Sequence, residues 1–249
     1  MSIMVMSDIH YEKDFHGRVW EGDALKWMLQ MVDFHRPSDL VLCGDTGYAW
    51  DEEEWENLLQ VVKVHAIFGN HDNVQMMKGL RNLDRSKVWA RDGETRMIQS
   101  WKFGFINGIM GDVKERRRRM NYKETYKGHT TDITWVPRLL PEEYLAAANT
   151  LAQKGPIDVL CTHASIPMSD ETRFHPTEEF QVLTDVVGIV RPRIWFSGHL
   201  SGPFKVGEVH GATRFVRVDS SPQDQHYALL GNKILIYHDR DLVEQVDYP

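Results

Sequence analysis

The sequence predicts an α/β protein in which two sheets face each other and helices lie outside each. Three observations carry that prediction. First, short apolar runs at Ile3–Ser7, Asp39–Cys43, Val64–Phe68, Asp158–Cys161 and Ile194–Ser197 read as buried strands, and each is followed at once by a polar fragment. Second, strands alternate with amphipathic helical stretches as far as Phe68, the sign of a parallel sheet with right-handed crossovers. Third, from Lys87 to Asn107 the rhythm changes to short strands without helices between them, so a second sheet begins there.

Taken in order, Trp20–His35 carries Leu25, Met28, Leu29 and Val32 at helical spacing, and Pro37 follows its end. Asp51 is placed to cap a second helix with Trp55, Leu58, Leu59 and Val62 on one face. Its acidic start, Asp51–Glu54, suits the positive end of a helix dipole and is not a metal motif. Residues 111–141 are polar, basic and weakly periodic, an irregular excursion with at most one helix. Pro141-Glu142-Glu143 opens a further helix with Leu145, Ala148, Leu151 and Ala152 on one side, and Glu178–Val190 reads as another. In the tail, Phe204–Val209, Thr213–Val218, His226–Leu230 and Lys233–Tyr237 alternate like strands, with His210-Gly211 and Gly231-Asn232 at tight turns. No repeat, low-complexity tract or linker interrupts residues 1–249. We expect a single domain whose β-rich end, 202–249, completes the second sheet.

Composition narrows the function classes. The 249 residues are 42% hydrophobic and 26% charged, ordinary for a soluble globular protein. A net charge of −7 provides no global positive field for nucleic acid. Cys43 and Cys161 fall inside predicted buried strands, as reduced core thiols rather than a disulfide framework. The first strand begins two residues after Met1, and no apolar stretch approaches the roughly 20 residues that span a bilayer. The expectation is a soluble, cytoplasmic protein with no membrane association.

The five polar fragments are Asp8-Ile9-His10, Gly44-Asp45, Gly69-Asn70-His71-Asp72, Thr162-His163 and Gly198-His199. Open α/β sheets collect their ligand sites beyond the carboxyl ends of the strands, so five such loops converge on one point. Carboxylate oxygens mixed with imidazole nitrogens suit borderline or hard divalent metals. Any one of these residues alone would be an ordinary polar loop residue. Together at five strand ends they point to a metal site.

These five motifs, in this order over about residues 3–201, resemble the calcineurin-like metallophosphoesterase superfamily. The resemblance implies a four-layer αββα sandwich of two mixed sheets flanked by helices. It implies a hydrolase for phosphate mono- or diesters that uses two divalent ions (manganese, iron, zinc or nickel) and a metal-bridging hydroxide. Carried over residue by residue, Asp8 and His10 hold metal one, Asp45 bridges, and Asn70, His163 and His199 hold metal two. His71 matches the family's catalytic histidine, a contact to the phosphate rather than a ligand.

Two positions depart from the family pattern. The last motif is usually Gly-His-x-His, with its second histidine on metal one, and here Ser201 stands in that place. Metal one is therefore expected to be the weaker site, completed by water or by another histidine such as His210. Tyr48 stands where many relatives carry an aspartate that orients the catalytic histidine, a role left here to Asp72. Lys114–Arg119, with arginines at 116–119, allows a rival reading as a nuclease or cyclic phosphodiesterase, although such runs more often form a solvated face. A second rival is a non-catalytic protein-binding scaffold with a weakened metal site. The unliganded His71 argues against it, and a small phosphoester is the favoured substrate. The eight tryptophans and the histidines at 16, 35, 65, 129, 175, 226 and 238 carry no motif and read as core or surface residues. Sequence leaves the oligomeric state open.

Overall fold

The structure is a computed structural model and describes residues 2–11, 21–111, 122–126, 129–133, 138–168, 170–171 and 178–249. Strand β1 (Ile3–Met6), helix α1 (Glu21–His35), β2 (Asp39–Cys43), α2 (Glu52–Val61) and β3 (Lys63–Ile67) form the expected crossover units. The three strands are parallel, with Ile3 opposite Asp39 and Asp39 opposite Lys63. At the start of α2, Asp51 accepts the Glu54 N–H while the Glu54 side chain accepts the Asp51 N–H, satisfying two donors that a helix start leaves open.

Helix α3 (Val74–Gly79) leads to β4 (Glu94–Ile98) and β5 (Trp101–Ile106), an antiparallel pair that opens the second sheet. The excursion predicted over 111–141 contains β7 (Tyr122–Tyr126) and β8 (His129–Ile133), paired antiparallel. On either side of it, β6 (Ile109–Met110) and β9 (Arg138–Leu139) pair in parallel. The described parts of the excursion are strands, and the Arg116–Arg119 run lies outside the described residues. Helix α4 (Pro141–Gln153), β10 (Val159–Thr162), α5 (Glu178–Val190) and β11 (Ile194–Ser197) complete the second set of crossovers. The buried face of α4 is Tyr144, Ala147, Ala148 and Leu151, so it is turned away from the expected Ala152, which is exposed.

The tail corrects one expectation. β12 (Lys205–Val209) and β13 (Thr213–Arg217) join the second sheet, but β14 (His226–Leu230), β15 (Ile234–His238) and β16 (Asp241–Val246) cross over and complete the first. The sheet orders are β16-β15-β14-β1-β2-β3 and β12-β13-β11-β10-β5-β4. Both sheets offered an unpaired edge, and alternation within a strand does not say which edge it takes. β16 escaped the sequence reading because it is an edge strand whose Leu242 and Val243 are exposed.

Alternation along each strand builds three apolar layers. In β1, Met4 and Met6 face α1 and α2, whereas Ile3 and Val5 face the other sheet. Between the sheets, Val41, Cys43 and Ile67 meet Phe103, Phe105, Val159, Cys161 and Phe196. Leu160, Trp195 and Phe215 face α4 and α5. Three cores between helix, sheet, sheet and helix make the αββα sandwich, with both cysteines buried and unbridged in its middle. Among the described residues, no helix is long and apolar enough to cross a membrane.

Candidate metal centre

The carboxyl ends of β1, β2, β3, β10 and β11 bring the five motifs together. Their loops are laced by backbone hydrogen bonds: the Asp8 N–H donates to the Gly44 carbonyl and the His10 N–H to the Asp45 carbonyl, each at 3.0 Å. The Asp8 carboxylate accepts the His199 N–H at 3.0 and 3.1 Å, joining the first sheet to the second. Four of the candidate ligands adopt left-handed backbone conformations: Asp8 (φ 58°), His10 (50°), Asp45 (50°) and His199 (68°). Such conformations cost about 1–3 kcal/mol each and persist where surrounding contacts over-determine them. Asp and His tolerate this region better than most residues, so the residue types suit the backbone as well as the chemistry.

Two groups of ligand atoms converge: Asp8, His10 and Asp45 in one, Asp45, His163 and His199 in the other, with atoms in each within 4.8 Å of one another. Asp45 belongs to both. His163 Nε2 stands 3.2 Å from Asp45 Oδ2, and His10 Nε2 is 3.7 Å from Asp8 Oδ1 and 3.9 Å from Asp45 Oδ2. Ligand atoms sharing one ion through bonds of about 2.0–2.2 Å lie at comparable separations. His163 Nδ1 is 2.9 Å from the Cys43 carbonyl, which can only accept, so Nδ1 carries a proton and Nε2 is the nitrogen left for a metal ion or a second proton. Neither His163 Nε2 nor Asn70 Oδ1, both buried, has a hydrogen-bond partner among the described residues. Buried polar atoms are rarely left so, and two such atoms, one on His163 against Asp45 and one on the residue before His71, fit divalent cations as their missing partner.

The electrostatics agree. Burial works to raise the Asp45 acid, but the charges of His163 and His10 beside it hold it well below the usual carboxylate range. Burial also works against a charged His163, yet Asp45 and Asp8 raise it to about 9. Without a metal, a proton on His163 is thus the cation that offsets the carboxylates. His199 is lowered to about 4 by burial and by the His163 charge beside it. The two rings stand 5.1 Å apart.

Glycines make room for this arrangement. A Cβ on Gly69 would overlap Asp45 Oδ1 and press on His163 Nε2, and one on Gly198 would overlap Asp8 Oδ2. The Gly in Gly-Asn-His-Asp and in Gly-His is therefore a demand for space, with backbone lying against ligand.

His71 lies at the rim, half-buried. Its N–H donates to Asp45 Oδ1 at 2.7 Å, and its ring stands 5.1 Å from His10 and 5.7 Å from Tyr48. Tyr48 Oη donates to the Asn70 carbonyl at 2.5 Å. Asp72 joins two loops. Its carboxylate accepts the N–H groups of Asp45, Thr46 and Gly69 at 2.7–2.8 Å, and the Thr46 hydroxyl as well. Burial and the nearby Asp45 charge raise its acid to about 6. Asp72 ties the Gly-Asp loop to the Gly-Asn-His-Asp loop, and the side chain standing against His71 in the position sequence assigned to an orienting group is Tyr48.

His210 is not brought to the site. It sits in the β12–β13 turn, at the amino end of β13, with Nε2 2.9 Å from the Thr184 carbonyl. β13 runs parallel to β11, so that turn lies at the end of the sheet opposite the metal loops. Sequence reasoning missed the Cys43 carbonyl, the Asp72 clasp and Asp219, which lies just past the carboxyl end of β13. For Asp219 a signal existed: an apolar run ending in Asp, the same pattern as the other strand ends.

A family model described as calcineurin-like phosphoesterase matches residues 1–203. The chain belongs to the calcineurin-like phosphoesterase family. Solved structures share this family fold at low sequence identity. TT1561 of Thermus thermophilus is 11% identical with a TM-score of 0.60, covering 96% of this chain and 99% of that one. A dimetal phosphatase from Danio rerio is 9% identical with a TM-score of 0.55, over 100% of this chain and 99% of that one. GAP50 of Plasmodium, described as the anchor in the inner membrane complex, is 14% identical with a TM-score of 0.55, over 100% of this chain and 88% of that one. Among curated proteins there is no significant sequence match.

Proposed function

We propose that the protein hydrolyses a phosphate mono- or diester at a dinuclear metal centre. Asp8 and His10 would hold metal one, Asn70, His163 and His199 would hold metal two, and Asp45 belongs to both ligand groups. The observation that carries the reading is the Asp45 carboxylate shared by two ligand clusters, with His163 Nε2 3.2 Å from it and buried without a hydrogen-bond partner, as is Asn70 Oδ1. When bound, two divalent cations supply Lewis-acid polarisation of phosphoryl oxygens and acidify a water for in-line displacement.

The protein's own groups do the rest. Asp45 is held in place by the His71 N–H, so its carboxylate is oriented before any substrate arrives. The Cys43 carbonyl fixes the tautomer of His163. His71, packed between His10 and Tyr48 and facing the rim, contacts the phosphate and gives a proton to the departing oxygen. With Ser201 in place of a histidine, metal one has one imidazole where metal two has two, and it is the weaker site.

Chelation should abolish hydrolysis of a generic aryl phosphoester, and manganese should restore it. His71→Ala should lower turnover by roughly 10²–10⁴ while bound manganese stays unchanged. Asp45→Ala should lose metal as well as rate. Full activity in metal-free protein, or a His71→Ala variant as fast as the parent, overturns the mechanism. Metal-loaded protein that is inert on monoesters, diesters and oligonucleotides favours the binding scaffold instead.

A further inference from the structure

A sixth strand end reaches the metal edge without a family motif. Asp219 follows Val218 just beyond β13, which runs parallel to β11, and the Val218 N–H donates to the Ser197 carbonyl at 3.2 Å. Its side chain is buried, with the residue only 4% exposed. Oδ1 accepts the Ser221 N–H at 2.9 Å and Oδ2 the Gly202 N–H at 3.1 Å. The first contact shapes its own loop. The second holds the turn that carries His199 and Ser201.

The next residue closes the other side. The Ser220 N–H donates to the Ser7 carbonyl at 2.8 Å, and Ser220 Oγ accepts the Ser7 N–H at 3.4 Å. Ser7 leads into Asp8, whose carboxylate accepts the His199 N–H. Asp8, the 199–202 turn, Asp219, Ser220 and Ser7 thus form a closed ring on the metal-one side. It holds two buried carboxylates. Burial, with the Asp8 charge added to it, raises the Asp219 acid to about 6.

We propose that Asp219 is the positioning residue by which this chain compensates for Ser201. It fixes the 199–202 turn against Asp8 and adds a negative charge behind metal one. The inference rests on the reading of Asp8, His10 and Asp45 as that site. Both Asp219 oxygens are engaged by backbone N–H groups, so it acts through the turn and its charge rather than as a ligand.

The test is calorimetric titration of metal-stripped protein with manganese, with bound ions counted, alongside thermal unfolding in chelator. Asp219→Asn should raise the dissociation constant of one ion about 10–100-fold, the usual effect of losing an outer partner in a metal site, and that of the other by clearly less, since the same turn also carries His199. The weakened ion must be the one that His10→Ala loses. Asp219→Glu, which restores the charge, should recover most of the affinity. The metal-free Asp219→Asn protein should unfold close to the parent temperature, because the lost N–H acceptor and the relieved repulsion from the Asp8 charge oppose each other. Both ions weakened equally, with a lower metal-free unfolding temperature, would mean a merely structural role and overturn the proposal. So would unchanged constants, which leave the metal centre itself standing. An unmodified protein that binds no manganese overturns the metal-centre reading and this inference with it. If Asp219→Asn does not fold, Asp219→Ser, which removes the charge and draws the side chain back from the Gly202 N–H, must weaken the same ion about threefold or more; no change there refutes the proposal equally.

Discussion

At His163 the Nδ1–H is committed to the Cys43 carbonyl and Nε2 faces Asp45, so a proton and a metal ion compete for one nitrogen. In the metal-free protein the group titrates at about 9 rather than 6.5. Its folded value is raised, so its contribution to stability is complete below 6.5 and is lost as pH rises through about 9. Metal-free protein should therefore lose thermal stability across that window, whereas metal-loaded protein, whose His163 carries no proton on Nε2, should not. Over the same range manganese affinity should rise by up to about tenfold per pH unit, because each binding event displaces that proton. Manganese titrations at several pH values check this, and a pH-independent constant would remove His163 from the ligand set.

At the level of the elements, the loops after β2 and β3 are held as one unit by Asp72. Replacing it with Ala leaves the buried N–H groups of Asp45, Thr46 and Gly69 without their acceptor, at about 1–3 kcal/mol for each unsatisfied donor. Asp72→Ala should lower unfolding stability by about 3 kcal/mol or more in urea and lower metal content as well. Loss of turnover alone, with stability and metal unchanged, would return Asp72 to the role of orienting His71. Gly69→Ala tests the same junction from the steric side. Its Cβ overlaps the place of the bridging carboxylate, so bound metal should fall even where the protein folds.

For the whole molecule, the candidate ligands are divided between the sheets: Asp8, His10, Asp45 and Asn70 follow strands of the first, His163 and His199 strands of the second. Bound metal then adds a link across the sheet interface that the apolar core of Val41, Ile67, Phe105 and Phe196 does not supply. One ion at about 100 times its dissociation constant stabilises the folded state by about 2.7 kcal/mol. For a chain of this size that corresponds to an unfolding temperature higher by about 5–10 °C. Manganese that leaves the unfolding temperature unchanged would count against ligands recruited from both sheets.

The five strand ends, the alternation of helices and strands, and the residues that meet at the site are legible along the chain. Each of these is written locally: an apolar run marks a strand buried on both faces, and the polar residues that follow it lie where a parallel sheet gathers ligands. The glycines at 69 and 198 were legible too, although their reason, the clearance of Asp45 and Asp8, appears only when the loops are packed. The tertiary structure decided what depends on partners distant in the chain. It sent β14–β16 to the first sheet, since an alternating strand carries no mark of the edge it will join. It set His210 at the far end of β13, since a turn's position follows from the direction of its strand. It gave Asp72 to two loops and set Tyr48 against His71, because hydrogen bonds between loops far apart in the chain leave no local pattern. Asp219 met the Asp8 loop in the same way, from the opposite end of the chain, where only folding brings the two together.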